Sequence, residues 1–157
     1  DLVNGQAVTL ADGRTINPDD VLGPDRPGVS IAVTGDLGQV EDLVDAVRGV
    51  DLLVCEATYL ARDREMARRF GHITAEQGAW LAREAGVRML VFNHLSQRYR
   101  IREILGEAQP IFESTVVARD FDRFAVTREK IVITNQQLQE DSELGEACVE
   151  GEGGVDI

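Results

Sequence analysis

The chain has 157 residues, 43% hydrophobic and 28% charged, with a formal net charge of −12, a make-up that excludes fibrous and low-complexity classes and fits one folded domain. Its longest apolar runs, such as Met89-Leu90-Val91-Phe92, are strand-length, too short to span a membrane. No signal-peptide pattern opens it, and a start on Asp1 rather than methionine reads as a processed piece or a fragment.

Residues 1–29 are rich in turns (Ala11-Asp12-Gly13, Asn17-Pro18-Asp19-Asp20, Pro27-Gly28) with edge-strand pieces such as Ala7-Val8-Thr9-Leu10 between them. Ser30-Ile31-Ala32-Val33-Thr34 reads as a strand stopped by Gly35-Asp36. Apolar residues at 40, 43, 44 and 47 have a helical period. Asp51-Leu52-Leu53-Val54-Cys55 reads as a second strand running into Glu56-Ala57-Thr58. A short basic helix is expected over 62–70, then a capping box, Thr74 with Gln77, opening a helix that stops at Gly86. A third strand over 87–92 precedes His94, a short helix is expected over 101–105, and late strands over 114–118, 124–126 and 131–133 end the body.

Between residues 140 and 157 there are seven acids and no base, which reads as a solvated, disordered tail. The chain is thus divided at 1–135 and 136–157. The body is only mildly acidic, and its arginines cluster at 62, 64, 68 and 69 and again at 98, 100 and 102. Such clusters can grip phosphates, although solvated helix faces are the commoner use. Cys55 and Cys148 lack metal-ligand spacing, so a reducing cytoplasm is the default expectation.

Strand–helix alternation predicts a layered α/β architecture, in which sites gather at the carboxyl ends of strands. Asp36, Glu56 and His94 all fall at such ends, and His72 lies in the loop before a helix. These are the only two histidines of the chain. Asp36 is a metal ligand or a helix cap. Glu56, at the end of an apolar strand, is either a partly exposed strand-end carboxylate or a buried one that needs a hydrogen-bonding partner. An imidazole would serve, and a Glu–His pair is suited to proton transfer. His72 taken alone is a general acid, a ligand or a structural loop histidine. His94 reads as a ligand, and Ser96 and Arg98 beyond it could hold a phosphate.

Together these segments resemble ribonuclease Z, the tRNA 3′-end processing endoribonuclease of the metallo-β-lactamase superfamily. Gly71-His72-Ile73-Thr74-Ala75-Glu76-Gln77-Gly78-Ala79 resembles the family's H-S-T-A-x-Q-A-A, and Phe92-Asn93-His94-Leu95-Ser96-Gln97-Arg98-Tyr99 its T-H-F-S-x-R-Y. Cys55-Glu56-Ala57-Thr58-Tyr59 resembles H-E-A-T-F, and Gly35-Asp36 the start of G-D-T. The resemblance implies the C-terminal half of an αβ/βα sandwich binding two divalent metal ions, zinc first and manganese second. Asp36 would bridge the metals, His94 would complete one coordination sphere, and His72, oriented by Glu56, would give a proton to the leaving oxygen. It also implies tRNA or another phosphodiester as substrate and a homodimer for the complete enzyme.

Leu37, Cys55 and Asn93 depart from the family pattern, and the family's H-x-H-x-D-H motif, which belongs to the first half of the fold, is absent. The chain alone is therefore expected to be inactive and to require the missing N-terminal half or a second protomer. Two other readings remain open: a different hydrolase of the superfamily, of phosphodiesterase or arylsulfatase type, and a non-catalytic interaction domain that has lost its metals.

Overall fold

The computed structural model describes residues 1–23 and 28–135; the expected acidic tail lies outside the described residues. A 3-10 turn, Leu2–Asn4, leads into the antiparallel pair β1 (Val8–Thr9) and β2 (Thr15–Ile16), followed by α1 (Pro18–Val21). The central elements are β3 (Ile31–Val33), β4 (Leu52–Ala57), α2 (Arg64–Phe70), α3 (Ala75–Ala85), β5 (Met89–Leu95), α4 (Ile101–Ala108) and β6 (Thr115–Val117). A hairpin of β7 (Asp122–Val126) and β8 (Ile131–Asn135) follows.

Four strands form one parallel sheet in the order β3-β4-β5-β6. Parallel pairing requires crossovers, and α3 and α4 supply two of them. β4 is almost wholly buried, as a parallel strand covered on both faces should be. Leu53, Cys55, Leu90 and Phe92 are fully buried with Ala79 and Ala82 of α3 in one core. Close approach of helix and sheet depends on Gly78, where a Cβ would stand 2.6 Å from Cε1 of Phe92. The edge strand β3 is less covered, with Ile31 53% and Val33 68% exposed.

The expected capping box is present. The Gln77 amide donates to Thr74 Oγ1 at 3.2 Å, and the Thr74 amide donates to Gln77 Oε1 at 3.1 Å. Gly86 closes α3 in the left-handed region, φ 65°. A glutamate from α4 reinforces this start: Glu107 accepts the amides of Ala61 and Glu76 at 3.0 and 2.9 Å through one carboxylate oxygen.

Four expectations change. Residues 40–47 form a 3-10 turn, Glu41–Leu43, and further turns rather than an α-helix. Their apolar period still serves, because Val40 and Val47 are buried. Residues read as a turn at 17–20 include the start of α1, where Asn17 caps a helix with Pro18 in its first turn. The α4 helix extends to Ala108. Both inner strands run further than their apolar stretches suggest, so Glu56 and His94 lie within β4 and β5.

Candidate functional site

Glu56 is fully buried, and a buried carboxylate must be hydrogen-bonded. It accepts the Leu37 amide at 2.6 Å, the Thr58 hydroxyl at 2.5 Å and the Ile73 amide at 3.4 Å. His72 Nδ1 lies 3.0 and 3.1 Å from its two oxygens. The pair is therefore built from β4 and from the loop before α3. That loop is tied to the end of β4 by backbone bonds, the Tyr59 amide donating to the Ile73 carbonyl and the Ala75 amide to the Tyr59 carbonyl.

His94 arrives by a different device. Glu56 pairs with Asn93 and Ala57 with Leu95, so His94 is the extra residue of a bulge between β4 and β5. Its φ of 48° is left-handed, a conformation that non-glycine residues rarely adopt. Such a bulge re-aims a side chain; here Nδ1 of His94 stands 3.2 Å from Oδ1 of Asp36 and 3.1 Å from Oγ1 of Thr58. Asp36 follows Gly35, whose left-handed φ of 65° turns the chain at the end of β3.

The rings of His72 and His94 are 5.2 Å apart. Ligand atoms of Asp36, His72 and His94 all lie within 4.8 Å of one another, a mixed oxygen and nitrogen set that fits a zinc or manganese ion. Four sequence-expected residues (Asp36, Glu56, His72 and His94) therefore share one site. Ser96 and Arg98 are engaged elsewhere: Ser96 Oγ accepts the Arg98 amide at 3.4 Å, and Arg98 Nη1 reaches Met66 Sδ at 2.9 Å. Arg98 lines a cleft of about 470 Å³ with Glu65, Met66, Arg69 and Phe70. Several neighbouring arginines are paired within the chain, Arg62 with Glu103 and Arg64 with Glu76.

Sequence reasoning missed Thr58. Its hydroxyl touches Glu56, both imidazoles and the carbonyl of His94. Its place one turn of the pleat beyond Glu56 was the available signal.

Two family departures are silent at this site. Leu37 contributes its backbone amide, which any non-proline residue supplies. Cys55 alternates with Glu56 along β4 and is buried near Gly78 in the core under α3. Burial, with the charge of Glu56 adding, pushes its thiol up to about 12, so it is neither thiolate nor ligand at neutral pH.

A parallel sheet carries this cluster at the carboxyl ends of its strands, and the fold is of the metallo-β-lactamase type. The chain belongs to the β-lactamase superfamily, whose "Beta-lactamase superfamily domain" matches residues 10–95. Among its curated relatives, ribonuclease Z of a Bradyrhizobium species is 49% identical over 125 residues, covering 80% of this chain and 42% of the relative. Ribonuclease Z of Brevibacillus brevis is 40% identical over 136 residues, covering 82% of this chain and 43% of the relative. The chain thus spans well under half the length of these relatives. The solved metallo-β-lactamase fold protein YhfI from Bacillus subtilis aligns with a TM-score of 0.53 at 22% identity, over 57% of this chain and 36% of that one, and shows the shared fold. The family resemblance read from the motifs is the one these relatives carry in their names.

Proposed function

We propose that the chain is the C-terminal half of a ribonuclease Z-like, metal-dependent phosphodiester hydrolase that acts in tRNA 3′-end processing, and that it needs the N-terminal half of the fold for activity. The observation that carries this reading is the Glu56–His72 pair beside Asp36 and His94. Glu56 holds Nδ1 of His72, which leaves Nε2 as the atom that exchanges a proton. Protonated there, His72 is placed to give a proton to the leaving oxygen, and the carboxylate behind it stabilises the imidazolium. Asp36 and His94 would hold the metal ions, together with ligands from the missing half. When bound, two divalent ions supply an activated water and neutralise charge at the phosphodiester. Arg98, now resting on a weak thioether acceptor, is free to turn to a substrate phosphate.

One observation favours a second assignment within the same site. Because ligand atoms of Asp36, His72 and His94 fall within 4.8 Å, His72 is also placed to be a third ligand, with Glu56 as the carboxylate behind it.

The test is complementation. The chain is combined with the remaining segment of the Bradyrhizobium ribonuclease Z and assayed on pre-tRNA and on a small aryl phosphodiester. Cleavage of pre-tRNA at the 3′ end by the pair, and by neither part alone, supports the proposal. Turnover of the small diester without pre-tRNA cleavage moves the chain to another hydrolase of the superfamily. A metal-free, inactive complex leaves the interaction-domain reading.

A further inference from the structure

The hydroxyl of Thr58 lies within hydrogen-bond reach of four groups: Glu56 Oε2 at 2.5 Å, His94 O at 3.0 Å, His94 Nδ1 at 3.1 Å and His72 Nδ1 at 3.4 Å. It has one proton to give. Two of the four are obligate acceptors, the carboxylate and the carbonyl, and the shorter, charge-assisted bond to Glu56 takes that proton. Toward the imidazoles the hydroxyl oxygen is then an acceptor only, so a ring nitrogen that bonds to it must carry hydrogen.

Glu56 and Asp36 accept and cannot donate when ionised. His72 Nδ1 faces Glu56 at 3.0 Å. His94 Nδ1 faces Thr58 Oγ1 and Asp36 Oδ1 at 3.1 and 3.2 Å. Every atom around both Nδ1 positions is therefore an acceptor.

We propose that Thr58 is the positioning residue that links His94 to Glu56, so that one buried carboxylate sets the tautomer of both histidines, His72 directly and His94 through the threonine hydroxyl. Hydrogen bonds run from His94 Nδ1–H to Thr58, from Thr58 to Glu56, and from His72 Nδ1–H to Glu56. Both rings keep hydrogen on Nδ1, which leaves Nε2 as the nitrogen with a free lone pair for a ligand or a proton. This holds whether His72 is proton donor or metal ligand.

The inference rests on the reading of these histidines as working groups, but its test needs neither metal nor substrate. Long-range proton–nitrogen NMR of the metal-free chain, at a pH where both rings are neutral, reports each tautomer. With two histidines in the chain, a His72→Gln variant assigns every signal. The expected result is Nδ1–H on both rings in the native chain. Thr58→Val shifts His94 to the Nε2–H form that free histidine favours, or to a mixture, while His72 keeps Nδ1–H. Thr58→Ser restores the native pattern, and Asp36→Asn leaves His94 unchanged. A native His94 carrying Nε2–H overturns the proposal, as does a Thr58→Val chain whose His94 stays wholly in the Nδ1–H form. Loss of that form in Asp36→Asn assigns the role to Asp36 and also overturns it. Where the valine variant does not fold, the native and Asp36→Asn spectra decide the matter. Failure of complementation with native tautomers intact would reject the hydrolase and leave Thr58's role standing.

Discussion

Nδ1 of His72 lies 3.0 Å from Oε1 of Glu56, a carboxylate without solvent exposure. The contact joins the carboxyl end of β4 to the loop before α3, 16 residues apart in sequence. Its environment is costly unless satisfied, and the backbone amides of Leu37 and Ile73 share the task.

Replacing Glu56 with alanine removes the acceptor for both amides and for the Thr58 hydroxyl. Stability should fall by at least about 1–3 kcal/mol, the cost of leaving a buried donor unsatisfied. Urea unfolding of Glu56→Ala against Glu56→Gln measures this, the glutamine variant being the less damaged because it still accepts.

In the complemented enzyme, His72→Ala should lower kcat by about 10²–10⁴-fold, the range of a positioned acid or base. Single-turnover cleavage of pre-tRNA under saturating protein separates this from weakened binding. An unchanged chemical step would remove His72 from the mechanism.

Gly78 is a close approach of α3 to the sheet. Alanine there would place its Cβ 2.6 Å from Phe92 Cε1 and 3.1 Å from Cζ, an overpacking that should cost about 1–3 kcal/mol. Combined with Phe92→Leu, the change should be smaller than the sum of the two single losses, because the leucine vacates that space. Thermal unfolding of the double-mutant cycle reads the coupling.

The hydroxyl of Tyr99 donates to Asp63 at 2.5 Å. Burial, aided by that bond, pushes its ionisation up to about 12 from 10.0. The folded chain therefore holds this proton more tightly than the unfolded one. The stabilisation is complete below the unfolded value and is lost as pH rises through the folded value. Between these pH values stability should decline by a one-proton slope that Tyr99→Phe abolishes, measured by urea unfolding across alkaline pH.

Much of this was legible in local sequence. The Thr74–Gln77 box and Gly86 bounded α3 because capping is a local interaction. Asp36, Glu56 and His94 were recognisable as strand-end residues because parallel strands are apolar until they reach the site. The bulge that turns His94 was not legible: it depends on the register between β4 and β5, and no single segment encodes a register. Thr58 was marked only by its place two residues beyond Glu56, and its contacts to His72 and His94 come from segments distant in sequence. Arg98 was read by residue type alone, and its direction is set by packing against Met66. The apolar period over 40–47 reported the buried face correctly, but not whether i→i+3 or i→i+4 bonds close the turns.

Metal content of the complemented pair decides whether Asp36 and His94 are metal ligands. Plasma mass spectrometry after gel filtration would compare the native chain with Asp36→Ala, His94→Ala and His72→Ala. The expected result is roughly two metal ions per native pair, a loss of metal in the Asp36 and His94 variants, and retained metal with lost activity in His72→Ala. Metal content unchanged by both Asp36→Ala and His94→Ala would contradict it.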